Sequence, residues 1–378
     1  MTRTRLATPS LPVFVLAAVV VALLAFGITR WITDSRAASA LPALEVQGDS
    51  AAAAPGALHA NKVFAARVDT VVAIEATIGD KPMNGSGVVV GTDGTIITAS
   101  HVVRDYERGL DATTIVVAFH AGDEVVATRV AIDQINDLAI LKVDPSEVAD
   151  LVAAPLGDSD KVLVGAEVMA IGHPFGYRWT PTTGIVSRPH VVLGSRINAN
   201  ADITDAIQHD AAVNTGNSGG ALFNARGELI GINQQIATPN GGSAGISFAV
   251  ASNLVRRALA NRAADGSIGY ASLGVTTRTL TPQLAKAGDI DATSGAIVQS
   301  ATGPAADAGL SIGRSISHLG RPVVLGDVIV ELAGRPITSS DDLSRIAGYI
   351  DADDPVQLTI VRGGERRTVM LDPSARIV

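Results

Sequence analysis

Gly216-Asn217-Ser218-Gly219-Gly220 is the stretch on which the reading of this chain turns. A serine stands among small residues, and two glycines follow it at once. Glycine allows turns that a side chain would forbid and lets a carbonyl group approach main-chain N–H groups closely. A serine nucleophile needs that setting: an exposed hydroxyl, with amide donors aimed where negative charge will develop. The same five residues also describe an ordinary turn between two strands. The choice depends on whether the chain supplies a histidine and a carboxylate in fitting places.

It supplies both. Thr98-Ala99-Ser100-His101-Val102-Val103 puts a histidine at the end of an apolar strand. Asn136-Asp137-Leu138-Ala139-Ile140-Leu141-Lys142-Val143 opens another apolar strand with an aspartate. With Ser218 the chain order is His, Asp, Ser, and each has a chemical task. Ser218 attacks a carbonyl carbon. His101 takes its proton and delivers it to the leaving amine. Asp137 holds the imidazole in the right tautomer and stabilises the imidazolium. The amides of Gly216 and Ser218, with Asn217 as a further candidate, bind the oxyanion. Losing one such donor costs ~3 kcal/mol of transition-state stabilisation. Taken singly, a strand-end histidine is more often structural and a strand-start aspartate is usually a turn residue. His209-Asp210 is a rival local pair, set aside because neighbours on a strand point to opposite faces.

Composition sets the bounds. The chain has 378 residues, with 47% hydrophobic and 17% charged residues, which permits packed cores and argues against wholesale disorder. Its 38 glycines, 3% aromatics and frequent Val, Ile and Thr suit a mainly β protein with many tight turns. The net charge of −8 argues against nucleic acid as a main partner. With no cysteine there is no disulfide framework and no thiol nucleophile. No metal cluster or nucleotide motif stands out, so no cofactor is expected.

The chain opens on an uncharged apolar run, Leu11 to Ile28. About eighteen residues at 1.5 Å each nearly span a hydrocarbon core of ~30 Å. Three readings are open: an uncleaved anchor, a cleaved signal ending near Ala38-Ser39-Ala40, or a buried core helix. Length favours the anchor, because signal cores are shorter. The expected organisation is a cytoplasmic tail over 1–10, a transmembrane signal-anchor over 11–29, and an Ala/Pro/Ser-rich flexible linker over 30–61. From Val63 short apolar runs alternate with turn signals, as in β-barrels or sandwiches. Gly91-Thr92-Asp93-Gly94 is expected to turn a hairpin. A helical pattern after Ala251 closes this unit, and a third unit of strands and two helices begins near Ile268.

At this point the chain resembles the HtrA (Deg) family of chymotrypsin-like serine proteases. The likeness rests on Gly85-Ser86-Gly87, Thr98 to Val103, Asn136 to Val143, Gly172-His173-Pro174-Phe175-Gly176, Asp210 to Asn214, Gly216 to Gly220, and Gly245 to Ala249. It implies a protease domain over 62–264 made of two six-stranded β-barrels with the triad between them. It also implies trimers, ATP-independent proteolysis, and action on misfolded or regulatory envelope proteins in quality control and stress response. Matching positions place Val213, Ile236 and Ile246 around the primary specificity pocket, which favours a small aliphatic residue before the scissile bond. These three also read as ordinary core residues.

Ser272-Leu273-Gly274-Val275 resembles the carboxylate-binding loop of a PDZ domain, expected over 268–375. Consecutive N–H groups of Leu273, Gly274 and Val275 would hold a C-terminal carboxylate while the peptide adds as a strand. Gly303 to Leu310 and Gly326-Asp327-Val328-Ile329 resemble further landmarks of that fold in the right order. Ser311 to Leu325 reads as an inserted hairpin around Leu319-Gly320-Arg321-Pro322. Some positions depart from the family pattern. Thr215 and Ala221 stand where many relatives carry proline. Arg188 to Arg196 falls where relatives carry a ligand-sensing loop, and is atypical there. The Ile78 to Asn84 connection is too short for the cage-forming loop of some relatives. The resulting expectation is a membrane-anchored serine endopeptidase whose protease and PDZ domains lie on the extracytoplasmic side. The alternative is a proteolytically inactive peptide-binding adaptor or chaperone on the same scaffold.

Overall fold

The computed structural model describes residues 58–194, 202–234, 244–262, 268–352 and 354–377, the side chains only as far as 374. The apolar run Leu11 to Ile28, its flanks, Arg196 and Ile236 lie outside them. Among the described residues no helix is long and apolar enough to cross a membrane.

A short helix α1 (Ala60–Arg67) leads into eight strands. These are β1 (Val71–Ile78), β2 (Lys81–Gly91), β3 (Thr95–Ala99), β4 (Arg104–Asp105), β5 (Leu110–Ala118), β6 (Glu124–Val126), β7 (Thr128–Asp133) and β8 (Leu138–Lys142). They pair in the order β4-β5-β1-β2-β3-β8-β7, with β6 on β5. The expected six strands become eight because two short segments, β4 and β6, each add a few ladder bonds to β5. Alternation along the strands sends Val72, Ile74, Val89, Ile96, Val117 and Leu141 into one core. Burying each such side chain is worth roughly 1.5–3 kcal/mol. The first connection is tighter than a loop: Ile78 pairs directly with Lys81. Gly91 to Gly94 turns the next hairpin, closed by Gly94 N–H donating to the Gly91 carbonyl at 3.1 Å.

Six further strands close a true barrel in the order β10-β11-β14-β13-β12-β9. They are β9 (Glu167–Gly172), β10 (Thr180–Gly194), β11 (Asp202–His209), β12 (Ala221–Asn224), β13 (Leu229–Asn233) and β14 (Ser247–Ala251). The segment expected as an atypical loop is strand as far as it is described: Arg188 to Gly194 continue β10 and pair with β11. Val191, Val192 and Leu193 favour extended backbone, and three register shifts absorb the irregularity. Helix α2 (Ser252–Ala260) follows and buries Leu254, Val255 and Ala258 on one face.

The C-terminal unit holds a sheet ordered β16-β17-β20-β22-β23: Val275–Thr279, Ala296–Ala301, Val328–Leu332, Val356–Arg362 and Glu365–Leu371, with the short β21 (Arg335–Pro336) on β20. Helix α3 (Pro282–Gly288) is capped by Thr281, whose side chain accepts the Leu284 N–H. Helix α4 (Pro304–Asp307) follows β17. Helix α5 (Ser340–Ala347) is capped by Ser339, whose side chain accepts the Asp342 N–H at 3.0 Å. The inserted hairpin forms as expected: β18 (Arg314–His318) pairs with β19 (Arg321–Leu325) about an exposed Leu319. The tail β24 (Ser374–Ile377) returns to pair with β15 (Gly269–Ser272).

Polar contacts join this unit to the barrels. The Tyr270 hydroxyl donates to Asp133, and the Tyr349 hydroxyl to Asp205 at 2.9 Å. Arg257 donates to the Ile350 carbonyl at 2.7 Å and lies over the Tyr270 ring at 5.2 Å.

Candidate active site

Strand register brings His101 and Asp137 together. Ala99, the last residue of β3, pairs with Leu138, the first of β8. The residues just beyond, Ser100 and Asp137, therefore meet, and Ser100 N–H donates to the Asp137 carbonyl at 3.0 Å. His101 sits in the single 3-10 turn that follows β3. Its Nδ1 lies 2.6 Å from Asp137 Oδ2, and its own N–H donates to Oδ1 at 3.0 Å. Asp137 ends a four-residue β7–β8 turn with φ 53°. That left-handed backbone is one aspartate tolerates better than most residues. Asp137 is 4% exposed. Burial lowers the proton affinity of His101, but the Asp137 charge and hydrogen bond together outweigh it and leave the imidazole more basic than usual.

The serine loop lies between β11 and β12 and is held by both halves of the protease domain. Gly219 N–H donates to the Asn233 carbonyl and Asn233 N–H to the Gly220 carbonyl, each at 2.8 Å. From the first half, Ser86 N–H donates to the Ser218 carbonyl at 2.8 Å, and Ser86 Oγ donates to the Gly216 carbonyl at 2.7 Å. Ser86 Oγ also accepts the His173 N–H at 3.0 Å. The approach is close enough to exclude side chains. A Cβ on Gly85 would stand 2.6 Å from Val102, next to His101, and 3.2 Å from the Ser218 carbonyl. A Cβ on Gly219, at φ +83°, would stand 2.2 Å from the Ser86 carbonyl and 2.8 Å from the Ala99 amide. The serine loop thus seats against the end of the strand that delivers His101.

The candidate oxyanion donors divide. Asn217 N–H is already donated to the Asn214 carbonyl at 2.9 Å. It is a loop-stabilising bond, which takes Asn217 out of the expected set of free donors. The Thr215 carbonyl accepts the Phe175 N–H at 3.0 Å. Because a trans peptide points its C=O and N–H in opposite directions, Gly216 N–H faces away from that contact. Among the described residues, neither the Gly216 nor the Ser218 amide is donated to a protein acceptor.

Val213 is fully buried just before this loop, while Ile246, at the entry to β14, is 44% exposed; the third expected pocket residue, Ile236, lies outside the described residues. The rival pair His209-Asp210 separates. His209 is buried inside the barrel beside Asn233, and Asp210 accepts the Ile185 N–H at 2.6 Å. Asp160, His190 and Asp205 bring ligand atoms within 4.8 Å of one another. They are engaged already: His190 Nδ1 with Asp205 at 2.9 Å, Asp205 with Tyr349, and Asp160 with Arg335 at 3.7 Å. Leu273, Gly274 and Val275 line an open groove of about 500 Å3 with Leu343 and Ala347. Ile135 and Thr204 of the protease domain form part of its wall.

Sequence reasoning missed two residues. Ser86 was visible only as part of a Gly-Ser-Gly motif, and its clamp on Gly216 crosses 130 positions. Ser100 gave no signal beyond its place before His101, yet its hydroxyl donates to Asp137 Oδ1 at 2.6 Å.

Residues 85–232 match the trypsin-like peptidase domain, and residues 271–372 match the PDZ domain. The solved structure of the HtrA-type protease AlgW with a tripeptide is 31% identical, covers 84% of this chain and 97% of its own, and superposes with a TM-score of 0.66. This chain belongs to the HtrA family. A serine endoprotease structure from Yersinia pestis, 28% identical over 84% of this chain and 97% of its own, gives a TM-score of 0.56. Curated HtrA relatives include a probable periplasmic serine endoprotease DegP-like of Marinomonas sp., 36% identical over 79% of this chain. Another of the same description, from Pseudomonas putida, is 36% identical over 77% of it. The chain spans 58% and 56% of the length of these two relatives.

Proposed function

We propose that this HtrA-family chain is a serine endopeptidase of the cell envelope that works through Ser218, His101 and Asp137. The observation that carries the reading is the 2.6 Å contact of His101 Nδ1 with a buried Asp137 carboxylate, beside a serine loop locked to the same strand end. His101 Nε2 takes the Ser218 hydroxyl proton as Oγ attacks the substrate carbonyl carbon. The Gly216 and Ser218 N–H groups receive the resulting oxyanion. The C–N bond breaks as the same proton passes to the leaving amine. Water then gives a proton to His101, attacks the acyl carbon, and Ser218 leaves with its proton restored.

The remaining assignments share this reading. Val213, Ile236 and Ile246 form an apolar specificity pocket that prefers small aliphatic residues. The amides of Leu273, Gly274 and Val275 take peptide carboxylates, in keeping with the groove beside them and with the peptide-bound AlgW structures. The domains span 62–264 and 268–375. Leu11 to Ile28 anchors the chain, which acts as a trimer on unfolded or regulatory proteins outside the cytoplasm, without ATP. The periplasmic description of the relatives supports the compartment. Casein degradation by the wild-type chain, abolished by Ser218→Ala, is the expected result. Equal degradation by Ser218→Ala would remove the nucleophile assignment. No degradation by either would favour the adaptor reading.

A further inference from the structure

The Asp137 carboxylate accepts more than the imidazole. Ser100 Oγ lies 2.6 Å from Oδ1, and Tyr106 OH lies 2.7 Å from Ser100 Oγ. An ionised carboxylate can only accept, and a serine hydroxyl has one proton. That proton therefore goes to Asp137, which makes Tyr106 the donor to Ser100. Ser100 is fully buried and Tyr106 half-buried.

We propose that Tyr106 and Ser100 are positioning residues for the proposed triad, a two-step donor chain that fixes the Asp137 carboxylate and tempers its charge. Each bond in such a chain polarises the next. Oδ1 is thereby tied down by Ser100 Oγ and His101 N–H, which leaves Oδ2 aimed at His101 Nδ1. The charged or titratable groups that face the chain are Asp137 and His101 at one end, and Asp133 and Arg104 near Tyr106. Arg104 lies over the Tyr106 ring at 5.5 Å and is itself paired with Asp111. Burial holds the Tyr106 phenol well above its ordinary range, so it stays a donor at every working pH.

Ser100→Ala removes a donor from Oδ1. The carboxylate becomes freer to turn and more basic toward the imidazolium. In the full chain, kcat on a peptide substrate falls about tenfold, equal to ~1.4 kcal/mol, with KM unchanged. The acid limb of kcat/KM moves to higher pH. Tyr106→Phe acts in the same direction but less, about threefold. Because Tyr106 works only through Ser100, the double variant is no slower than Ser100→Ala alone.

This inference rests on the triad reading, and a second readout separates the two. The His101 titration followed by NMR needs no turnover, and it moves upward in Ser100→Ala whether or not the chain cleaves peptides. A loss of Ser218-dependent cleavage in the wild type would sink the triad reading alone. An unmoved His101 titration in a folded Ser100→Ala variant, or additive losses in the double variant, overturns the donor chain.

Discussion

Ser86 Oγ spans the two halves of the protease domain, donating to the Gly216 carbonyl at 2.7 Å while accepting the His173 N–H at 3.0 Å. Through it the first half fixes the peptide that precedes the proposed nucleophile. Ser86→Ala leaves both partners unpaired in a buried place, at a cost of about 1–3 kcal/mol each where no water replaces it. We expect kcat to fall by ten- to a hundredfold with a smaller change in KM, alongside a lower midpoint of thermal unfolding. Steady-state kinetics on a peptide substrate and calorimetry check the two effects.

Gly219→Ala should be worse for folding than for any single contact. Its φ of +83° strains an L residue, and the new methyl would sit 2.2 Å from both the Ser86 carbonyl and Thr98 Oγ1. Those are a backbone atom and a buried side chain, neither free to yield. The expected outcome is a protein that loses several degrees of thermal midpoint and most of its Ser218-dependent activity. Wild-type activity would contradict the fit of this loop.

Activity should need more alkaline conditions than an ordinary histidine would. The proposed mechanism requires neutral His101, and the Asp137 charge and hydrogen bond hold its folded pKa above 6.5. The acid limb of kcat/KM therefore lies above that value. Stability runs the other way: the imidazolium–Asp137 pair contributes fully below the unfolded pKa and is lost as pH rises through the raised folded one. Asp137→Asn should abolish the raised limb and cut kcat by up to about 10⁴.

Acid should destabilise the fold through two other histidines. Burial drives His173 and His209 down to about 4 from 6.5. The unfolded chain binds more protons between those values, so stability falls as pH drops from about 6.5 to 4. For fully buried His209 the loss is on the order of 3 kcal/mol. In His209→Gln the thermal midpoint should vary less with pH over that window.

Tyr270→Phe tests the seam between the protease and PDZ domains. It removes one donor from Asp133, which is fully buried and retains the N–H groups of Ile135 and Asn136. A loss of about 1–3 kcal/mol is expected, read as a lower unfolding midpoint. An unchanged midpoint would mean that the hydroxyl is not needed there.

Much of this molecule was legible in its residues. Alternating apolar runs and glycine turns give strands wherever one face can be buried, so Thr95 to Ala99, Leu138 to Lys142 and the Leu319-Gly320 hairpin followed from period and turn chemistry. The candidate site was legible for the same reason. His101 and Asp137 mark the two ends of strands whose pairing is local in the sheet, and Ser218 announces itself by its glycines. Tertiary structure alone decided the contacts that cross the sequence. It turned Arg188 to Gly194 into strand, because β11 was there to pair with it. It gave the Asn217 amide to the Asn214 carbonyl and, among the described residues, gave those of Gly216 and Ser218 no protein acceptor. It also put Ser86 on the Gly216 carbonyl and Ser100 on Asp137. Such bonds depend on where two distant backbones meet to within a few tenths of an ångström. Residue type sets which groups can donate, and the packing of the strands sets which one the Gly216–Gly220 loop receives.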